Sequence, residues 1–332
     1  MNTQSDKHLP KVLQGLRIPV IAAPLFIISV PKLVIAQCKA GIIGSFPALN
    51  ARESEGEPPL LGKWLTEISE ELDRYNQRNP DTPAAPFAVN QIVHRSNTRL
   101  DRDLEICVRH NVPLWITSLG ARVEVNEAAH SCGGIVLHDI INNTFARKAI
   151  EKGADGLVAV AAGAGGHAGQ QSPFALIREI REWFNGTLAL SGAIATGESL
   201  LAARTLGADF GYIGSPFIAT DEANAHVDYK EMITQSGAED IIYSSLFTGV
   251  HGNYLKPSID KAGLDSNNLP EADKSSMNFG SGGNTDAKAW KDIWGSGQGI
   301  GGIVDSPPVQ ELVDRIQSEY EEASQEFIRK SS

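Results

Sequence analysis

The sequence has few cysteines, no long apolar run and a shortage of basic residues, and each of these features excludes a class of protein. The three cysteines, Cys38, Cys107 and Cys132, are far apart and lack the spacing of metal ligands. A disulfide scaffold and a metal site are therefore not expected, and such thiols fit a reducing compartment. No window approaches the roughly 18 apolar residues of a membrane-spanning helix, and residues 1–11 lack the apolar core of a secretory signal. The sequence predicts a cytoplasmic protein that does not enter a membrane.

The charge balance is acidic, with 29 Lys and Arg against 40 Asp and Glu and a formal net charge of -11. No segment is locally basic, so nucleic-acid binding is not expected, because an acidic chain repels the phosphate backbone. Hydrophobic residues make up 42% of the chain and charged residues 21%. These values are ordinary for a globular protein and exclude disorder over most of the chain.

Short apolar runs alternate with longer segments of helical spacing between residues 19 and 215. The runs are almost continuously apolar, as expected for parallel strands that are buried on both faces. The eight predicted strands are residues 19–23, 41–46, 87–93, 114–118, 134–138, 156–161, 187–190 and 210–214. The predicted helices between them are residues 31–39, 60–78, 99–110, 123–131, 144–152, 173–184 and 197–206.

Eight such repeats predict a (β/α)8 TIM barrel, since the length also agrees with the roughly 250 residues of that fold. An open doubly wound sheet remains the alternative, because periodicity cannot distinguish a closed sheet from an open one. We expect residues 1–220 to form the barrel. Residues 221–332 are expected to be an extension packed on the barrel, over the active-site face. Its predicted parts are a polar helix at 221–236, a glycine-rich loop at 266–302 and a final helix at 309–330.

Catalytic groups of barrels lie after the carboxyl ends of the strands, and three glycine-rich segments follow strands six, seven and eight. The first, residues 161–169, contains His167, whose side chain is suited to exchange a proton at physiological pH. The other two contain Gly192-Ala193 and Gly214-Ser215. Small residues at these two places predict a phosphate site. Neither segment has Lys or Arg, so backbone amides and a helix N-terminus would hold the phosphate.

The order of these motifs resembles that of the nitronate monooxygenase family, formerly called 2-nitropropane dioxygenases. The most specific element is Gly165-Gly166-His167-Ala168-Gly169. The resemblance implies FMN as cofactor, a nitronate or nitroalkane as substrate and molecular oxygen as co-substrate. It implies His167 as the catalytic residue, acting as a base or as a hydrogen-bond partner of the nitro group. The residues implied to bind FMN are Ala22, Ala23, Pro24, Asn90, His138, Gly165, Gly166, Gly192, Ala193, Gly214, Ser215 and Gln298.

The chain departs from the family pattern at three positions. Ala193 stands where a second glycine is frequent and Ser215 stands where threonine is frequent, and both keep a backbone N–H. Many members have a lysine at the end of strand five, where this chain has His138-Asp139. Two alternatives therefore remain open, an NAD(P)H-dependent flavin reductase of quinones or enoyl thioesters and a non-redox barrel that binds a phosphorylated ligand. The oligomeric state is open as well, with a homodimer as one option.

Overall fold

A sheet of eight parallel strands forms the centre of the computed structural model, which describes residues 9–52, 59–269 and 293–331. The strands are β1 Val20–Ala22, β2 Gly44–Pro47, β3 Phe87–Ile92, β4 Leu114–Ser118, β5 Ile135–Ile140, β6 Gly156–Val160, β7 Thr187–Ser191 and β8 Phe210–Ile213. All eight coincide with predicted strands. The difference between predicted and observed strand ends is largest at β2, which begins at Gly44 and not at residue 41.

The sheet closes into a barrel. Strands β2 to β8 pair with their neighbours in chain order, and β8 pairs with β1. The remaining gap is closed by a parallel bridge between Ile21 and Ile43, where the Ala22 amide donates to the Ile43 carbonyl at 2.8 Å. This closure confirms the (β/α)8 barrel, and the open-sheet alternative is wrong.

Helices follow the strands in the order that the repeats predict. The eight helices are α1 Pro31–Lys39, α2 Leu60–Arg78, α3 Leu100–Arg109, α4 Val123–Ser131, α5 Asn143–Glu151, α6 Pro173–Arg181, α7 Gly197–Leu206 and α8 Ser215–Ile218. Proline opens α1 and α6, where the missing N–H costs no hydrogen bond. At the end of α7, Gly207 has a φ of 114°, the left-handed conformation that stops a helix.

Side chains alternate between the barrel interior and the helix layer along each strand. The interior cluster contains Ile21, Ile43, Ala88, Leu114, Ile116, Leu137, Val158, Ala189, Phe210 and Tyr212. Intervening residues such as Ala22, Val136 and Leu157 pack outward against the helices. The interior is therefore a packed core, and a ligand site can form only above it.

The C-terminal part contains the two helices predicted for this region and adds two strands and a short helix that the sequence did not reveal. After α8 come α9 Val227–Gln235, the antiparallel strands β9 Ile241–Ser244 and β10 Gly252–Leu255, α10 Lys256–Lys261 and α11 Val309–Ser331. Strand β10 also pairs with the short strand Gly166–His167 from the segment after β6. The chain thus returns to the carboxyl end of the barrel and builds a three-stranded sheet there.

One helix prediction was wrong at its start, because α9 begins at Val227 and not at residue 221. His226 caps this helix, with its Nδ1 accepting from the Asp228 amide at 3.2 Å. The preceding residues instead hydrogen-bond elsewhere, since the Asn224 amide donates to the Ile28 carbonyl at 3.2 Å. Of the predicted glycine-rich loop, residues 270–292 lie outside the described part of the chain. The proposed division at residue 220 stays a prediction.

The final helix α11 packs on α7 and α1 at the outside of the barrel. Glu319 accepts a hydrogen bond from the Gly197 amide at 2.8 Å. Arg17 and Asp314 form an ion pair at 2.6 Å, so the end of the chain is tied to the segment that precedes β1. Among the described residues, no helix is both long enough and apolar enough to cross a membrane.

The buried cysteines behave as small hydrophobic residues. Cys38 and Cys107 have no exposed surface. Burial raises the pKa of the Cys38 thiol to about 12 and raises that of Cys107 as well. Thiols that stay protonated are poor nucleophiles, so neither is a reactive group.

We expect Gly197→Ala to destabilise the protein, because a Cβ at this position would lie 2.1 Å from the Tyr320 backbone nitrogen in α11. Forcing a methyl group into such a contact typically costs about 1–3 kcal/mol. The free energy of unfolding from urea denaturation measures the effect. Gly237→Ala is the matched control, since a Cβ there meets nothing within 4 Å. Equal stability of the two variants would show that α11 does not pack tightly on α7.

Candidate functional site

A cavity of about 2560 Å³ opens at the carboxyl ends of the barrel strands, where the sites of TIM-barrel enzymes lie. The structure brings together at this cavity all but two of the predicted site residues. Those that line it are Ala23, Pro24, Asn90, His138, Gly165, Gly166, His167, Gly192, Ala193, Gly214 and Ser215.

Ala22 and Gln298 do not line the cavity. Ala22 is fully buried and packs outward in the helix-facing core, because it precedes the inward-facing Ala23 on a strand that alternates. The side chain of Gln298 is exposed, and its backbone amide donates to the Gly163 carbonyl at 2.9 Å. The structure therefore gives Ala22 no surface on the cavity and leaves Gln298 at its edge.

His167 is placed by the three-stranded sheet, in which it pairs with Gly252. Its Nε2 lies 3.1 Å from the Thr248 hydroxyl, and that hydroxyl donates to the Val250 carbonyl at 2.9 Å. The Thr248 oxygen must then accept from His167, so Nε2 carries the proton and Nδ1 is the unprotonated nitrogen. Burial lowers the pKa of His167 to about 4, so the imidazole is neutral at physiological pH.

The segments after β7 and β8 present bare backbone to the cavity. Gly192 has a φ of 148°, in the region that favours glycine, and Gly214 and Ser215 follow the neighbouring strand. The amides of Gly192, Gly214 and Ser215 donate no hydrogen bond to the described part of the chain. Converging N–H groups of this kind are suited to bind an anion.

Two details of the predicted phosphate site need correction. The Ala193 amide already donates to the Gly163 carbonyl at 3.2 Å, so it does not point to a ligand. The N-terminus of α7 is also occupied. The Gly197 amide binds the Glu319 carboxylate, and the Ser199 amide binds the Thr196 hydroxyl. A carboxylate of the chain itself thus holds the helix end that a phosphate could have used.

The tail segment, residues 294–299, lies against the segments after β6, β7 and β8. The Gly297 amide donates to the Ser215 hydroxyl at 2.9 Å. A Cβ on Gly297 would lie 2.8 Å from the Gly163 carbonyl oxygen, and one on Gly299 would lie 2.8 Å from the Ala193 backbone. These glycines are therefore required by close backbone contacts, and the tail segment is part of the cavity wall.

The aromatic residue at the start of the tail segment forms one side of the cavity mouth. Trp294 stacks on Tyr229 with ring centroids 4.7 Å apart and on His226 at 6.4 Å. Lys261 lies over the same indole at 5.7 Å and pairs with Asp228. The stack joins α9 and α10 to the tail segment.

The floor of the cavity is a chain of polar side chains from three adjacent strands. Asn90 Nδ2 donates to Ser118 Oγ at 2.8 Å, and Ser118 Oγ donates to Asp139 Oδ2 at 2.6 Å. Each follows an inward-facing apolar residue by two positions, namely Ala88, Ile116 and Leu137. Because every second residue of a strand faces inward, the residues that follow the apolar interior on the same strand face form a polar floor.

At the end of β5, His138 was expected in the site and Asp139 was not. His138 hydrogen-bonds to Thr117 at 2.6 Å on the other face of the sheet, and burial lowers its pKa to about 4, helped by the positive charge of Lys152. Asp139 is the inward-facing residue of the pair. Burial raises its pKa to about 7, and the Ser118 hydrogen bond opposes that rise. Counting in steps of two from Leu137 would have identified it.

Charged side chains that line the cavity are mostly basic. They are Arg52, Arg99, Lys148, Lys152 and Lys261, with Asp139 and Asp228 as the acidic ones. Arg99 binds Asp103 at 3.0 Å and the Ala51 carbonyl at 2.9 Å, which supports the segment after β2. Lys152 donates to the Ala121 carbonyl at 2.7 Å.

A family model described as nitronate monooxygenase matches residues 8–319. Among curated proteins, the chain is 23% identical to a nitronate monooxygenase of Paraburkholderia phytofirmans, over 98% of this chain and 99% of the relative. It is 25% identical to a nitronate monooxygenase of Neurospora crassa, over 91% and 89%. Among solved structures, FabK from Thermotoga maritima has a TM-score of 0.74 at 21% identity, covering 97% of both chains. A nitroalkane oxidase from Streptomyces ansochromogenes has a TM-score of 0.73 at 20% identity, covering 96% and 100%.

We expect His138→Gln to flatten the acid side of the pH–stability curve. The pKa of His138 is about 4 in the folded protein, below its usual 6.5, so unfolding takes up a proton between these values. Stability then falls as the pH drops from 6.5 to 4, and removal of the imidazole removes part of that slope. Urea denaturation at several pH values measures it. The control His251→Gln changes an exposed histidine, and identical slopes for both variants would contradict the placement of His138.

Proposed function

The chain belongs to the nitronate monooxygenase family, and we propose that it binds FMN in the barrel cavity and oxidises alkyl nitronates with molecular oxygen. The observation that carries the proposal is the joint presence, on one cavity, of His167 and the unpaired amides of Gly192, Gly214 and Ser215. These groups combine a proton-accepting side chain with an anion-binding backbone.

The residues present fit FMN. The three amides would hold the phosphate without a basic side chain, since neither of their segments contains Lys or Arg. Asn90 of the floor would meet the polar edge of the ring through its side-chain oxygen, since its Nδ2 donates to Ser118 and to the Ile116 carbonyl. Ala23 and Pro24 offer the ring an apolar contact. Bound FMN would supply the electron transfer between substrate and oxygen.

His167 would act on the substrate as a neutral imidazole. Thr248 holds its Nε2–H and orients the ring, and the unprotonated Nδ1 is the atom that would accept a proton from a nitroalkane carbon or a hydrogen bond through water. A neutral side chain also leaves the anionic nitronate free of a tight ion pair. The three-stranded sheet sets this orientation, so the C-terminal part of the chain would contribute to catalysis.

The size of the cavity favours one alternative, an NAD(P)H-dependent reductase of quinones or enoyl thioesters. At about 2560 Å³ the cavity exceeds the usual upper range of about 1,000 Å³ for a ligand site. Arg52, Lys148 and Lys152 border it and could bind the phosphates of a second nucleotide. Anaerobic mixing with NADH separates the two activities, because rapid bleaching of the flavin identifies a reductase.

An absorbance spectrum of the purified protein, followed by addition of a nitronate and then of NADH, tests the proposal as a whole. Flavin bands and oxygen uptake with the nitronate would support it. A protein that remains colourless after FMN is supplied would instead support the non-redox phosphate-binding barrel.

We expect His167→Ala to leave a yellow protein whose turnover of nitronate is about 10²- to 10⁴-fold lower, the range that loss of a positioned acid–base group produces. Steady-state oxygen consumption measures turnover, and the absorbance spectrum measures bound FMN. His251→Ala is the matched control, since this exposed histidine of the same C-terminal sheet region does not line the cavity. Unchanged turnover of His167→Ala would reject the proposed role.

We expect Ser215→Asp to lower the affinity for FMN at least tenfold while the affinity for riboflavin changes little. The new carboxylate can still accept from the Gly297 amide, but its charge repels the phosphate, which riboflavin lacks. Fluorescence titration with both flavins measures the difference. Ser215→Thr keeps the hydroxyl and should bind FMN normally. Equal losses for the two flavins would place the phosphate elsewhere.

A further inference from the structure

The cavity floor holds a buried carboxyl group, Asp139, that the proposed function has not used. Asp139 lies at the end of β5, next to Ser118 of β4 and near Tyr212 of β8. Its Oδ1 atom is fully buried and has no hydrogen-bond partner in the part of the chain that the structure describes. A buried oxygen without a partner on the wall of a cavity points to a group supplied by a ligand.

The hydrogen bonds of the floor run in one direction. Asn90 Nδ2 can only donate, so Ser118 Oγ accepts from it at 2.8 Å. The Ser118 hydroxyl therefore directs its own hydrogen to Asp139 Oδ2 at 2.6 Å. Because Oδ2 accepts, a proton on this carboxyl group belongs on Oδ1, the atom without a partner.

The surroundings do not supply a positive charge to a carboxylate at this place. Tyr212 from β8 and His167 from the segment after β6 line the same cavity as Asp139, and His138 precedes Asp139 on β5 with its ring on the other face of the sheet. Burial holds the pKa of both histidines near 4 and raises that of Tyr212 well above its usual value. All three are neutral near pH 7. Lys152 of the cavity wall binds the Ala121 carbonyl, and Asp139 forms no recorded ion pair within the described residues.

We propose that Asp139 is a neutral carboxylic acid that donates a hydrogen bond from Oδ1 to an oxygen or nitrogen acceptor of the bound cofactor. An unpaired carboxylate buried here would cost several kcal/mol, whereas the acid satisfies the floor and offers the ligand a donor. For the identity of the ligand, the inference rests on the proposed function. The phosphate amides follow β7 and β8, so the acceptor met at β5 belongs to the ring end of FMN.

Protonation of Asp139 then controls affinity. The pKa of about 7 lies above the usual 3.8, so the acid is present below pH 7 and the carboxylate above it. Ionisation of Asp139 removes the hydrogen-bond donor and places a negative charge next to the acceptor atom of the flavin. The dissociation constant for the flavin is expected to be constant below pH 7 and to rise above it, approaching tenfold per pH unit.

Carbon-13 NMR of the full-length chain labelled at aspartate carboxyl carbons tests the acid directly, without added flavin. The difference between wild type and Asp139→Asn should contain one carboxyl group that titrates near pH 7. A midpoint near the usual 3.8 would overturn the proposal, whatever the activity of the enzyme.

Binding of riboflavin between pH 6 and 9 tests the donor role, since riboflavin lacks the phosphate that itself titrates near pH 6. In Asp139→Asn the amide oxygen can accept from Ser118 and the NH₂ group can donate in place of Oδ1–H. This variant should bind within about threefold of wild type at pH 6 and lose the pH dependence. Asp139→Leu has no donor and should bind about tenfold more weakly than wild type at pH 6, as expected for one lost hydrogen bond, with no dependence on pH.

Two further variants distinguish the proposed role of Asp139 from a general effect of mutations near the cavity. Ser118→Ala removes a hydrogen bond that favours the carboxylate, so the midpoint should move to higher pH. His226→Gln changes an exposed histidine that borders the cavity mouth, and it should leave the midpoint in place. A wild-type pH dependence in Asp139→Asn, or its loss in His226→Gln, would overturn the proposal. Failure of every variant to bind flavin at any pH would reject the proposed function, and the NMR titration would still decide the state of Asp139.

Discussion

The alternation of side chains along closed parallel strands is the constraint on which the rest of this structure depends. Once the bridge between Ile21 and Ile43 closes the sheet, every second residue must point into an interior too narrow for anything but side chains. Apolar residues fill it, and the same faces end in Asn90, Ser118 and Asp139. The polar floor of the cavity is thus a continuation of the core and is as rigidly placed.

Bare backbone makes the upper wall of the cavity. The segments after β6 and β7 meet the tail segment at Gly165, Gly297 and Gly299, where a single Cβ would collide with a carbonyl group or the peptide backbone. Gly297 of the tail segment lies 82 residues after Ser215, which it contacts, and contacts with β10 and α9 place the tail segment there. Cavity and C-terminal part therefore form together.

Electrical neutrality is the common property of the buried groups at this site. Burial lowers the pKa of His138 and His167 and raises that of Asp139, and each shift removes charge near pH 7. The backbone amides offer a fixed site for an anion, and the basic side chains that line the cavity lie outside the segments after β7 and β8. At the N-terminus of α7, Glu319 already occupies the place that an anion could have taken. The phosphate of a ligand can in this way be bound without a basic side chain.

The sequence by itself determined the barrel, its strands to within a few residues, and the glycine segments that meet at the cavity. Continuous apolar runs, proline at helix starts and glycine after helix ends are local signals, and local signals survive in a single sequence. Only the tertiary structure decided that Ala22 faces away from the cavity and that the Ala193 amide donates to the Gly163 carbonyl. It also decided that Asp139 faces inward and His138 does not. These outcomes depend on which face of each strand points into the barrel and on contacts between segments far apart in the chain. A local sequence pattern determines neither of these two features.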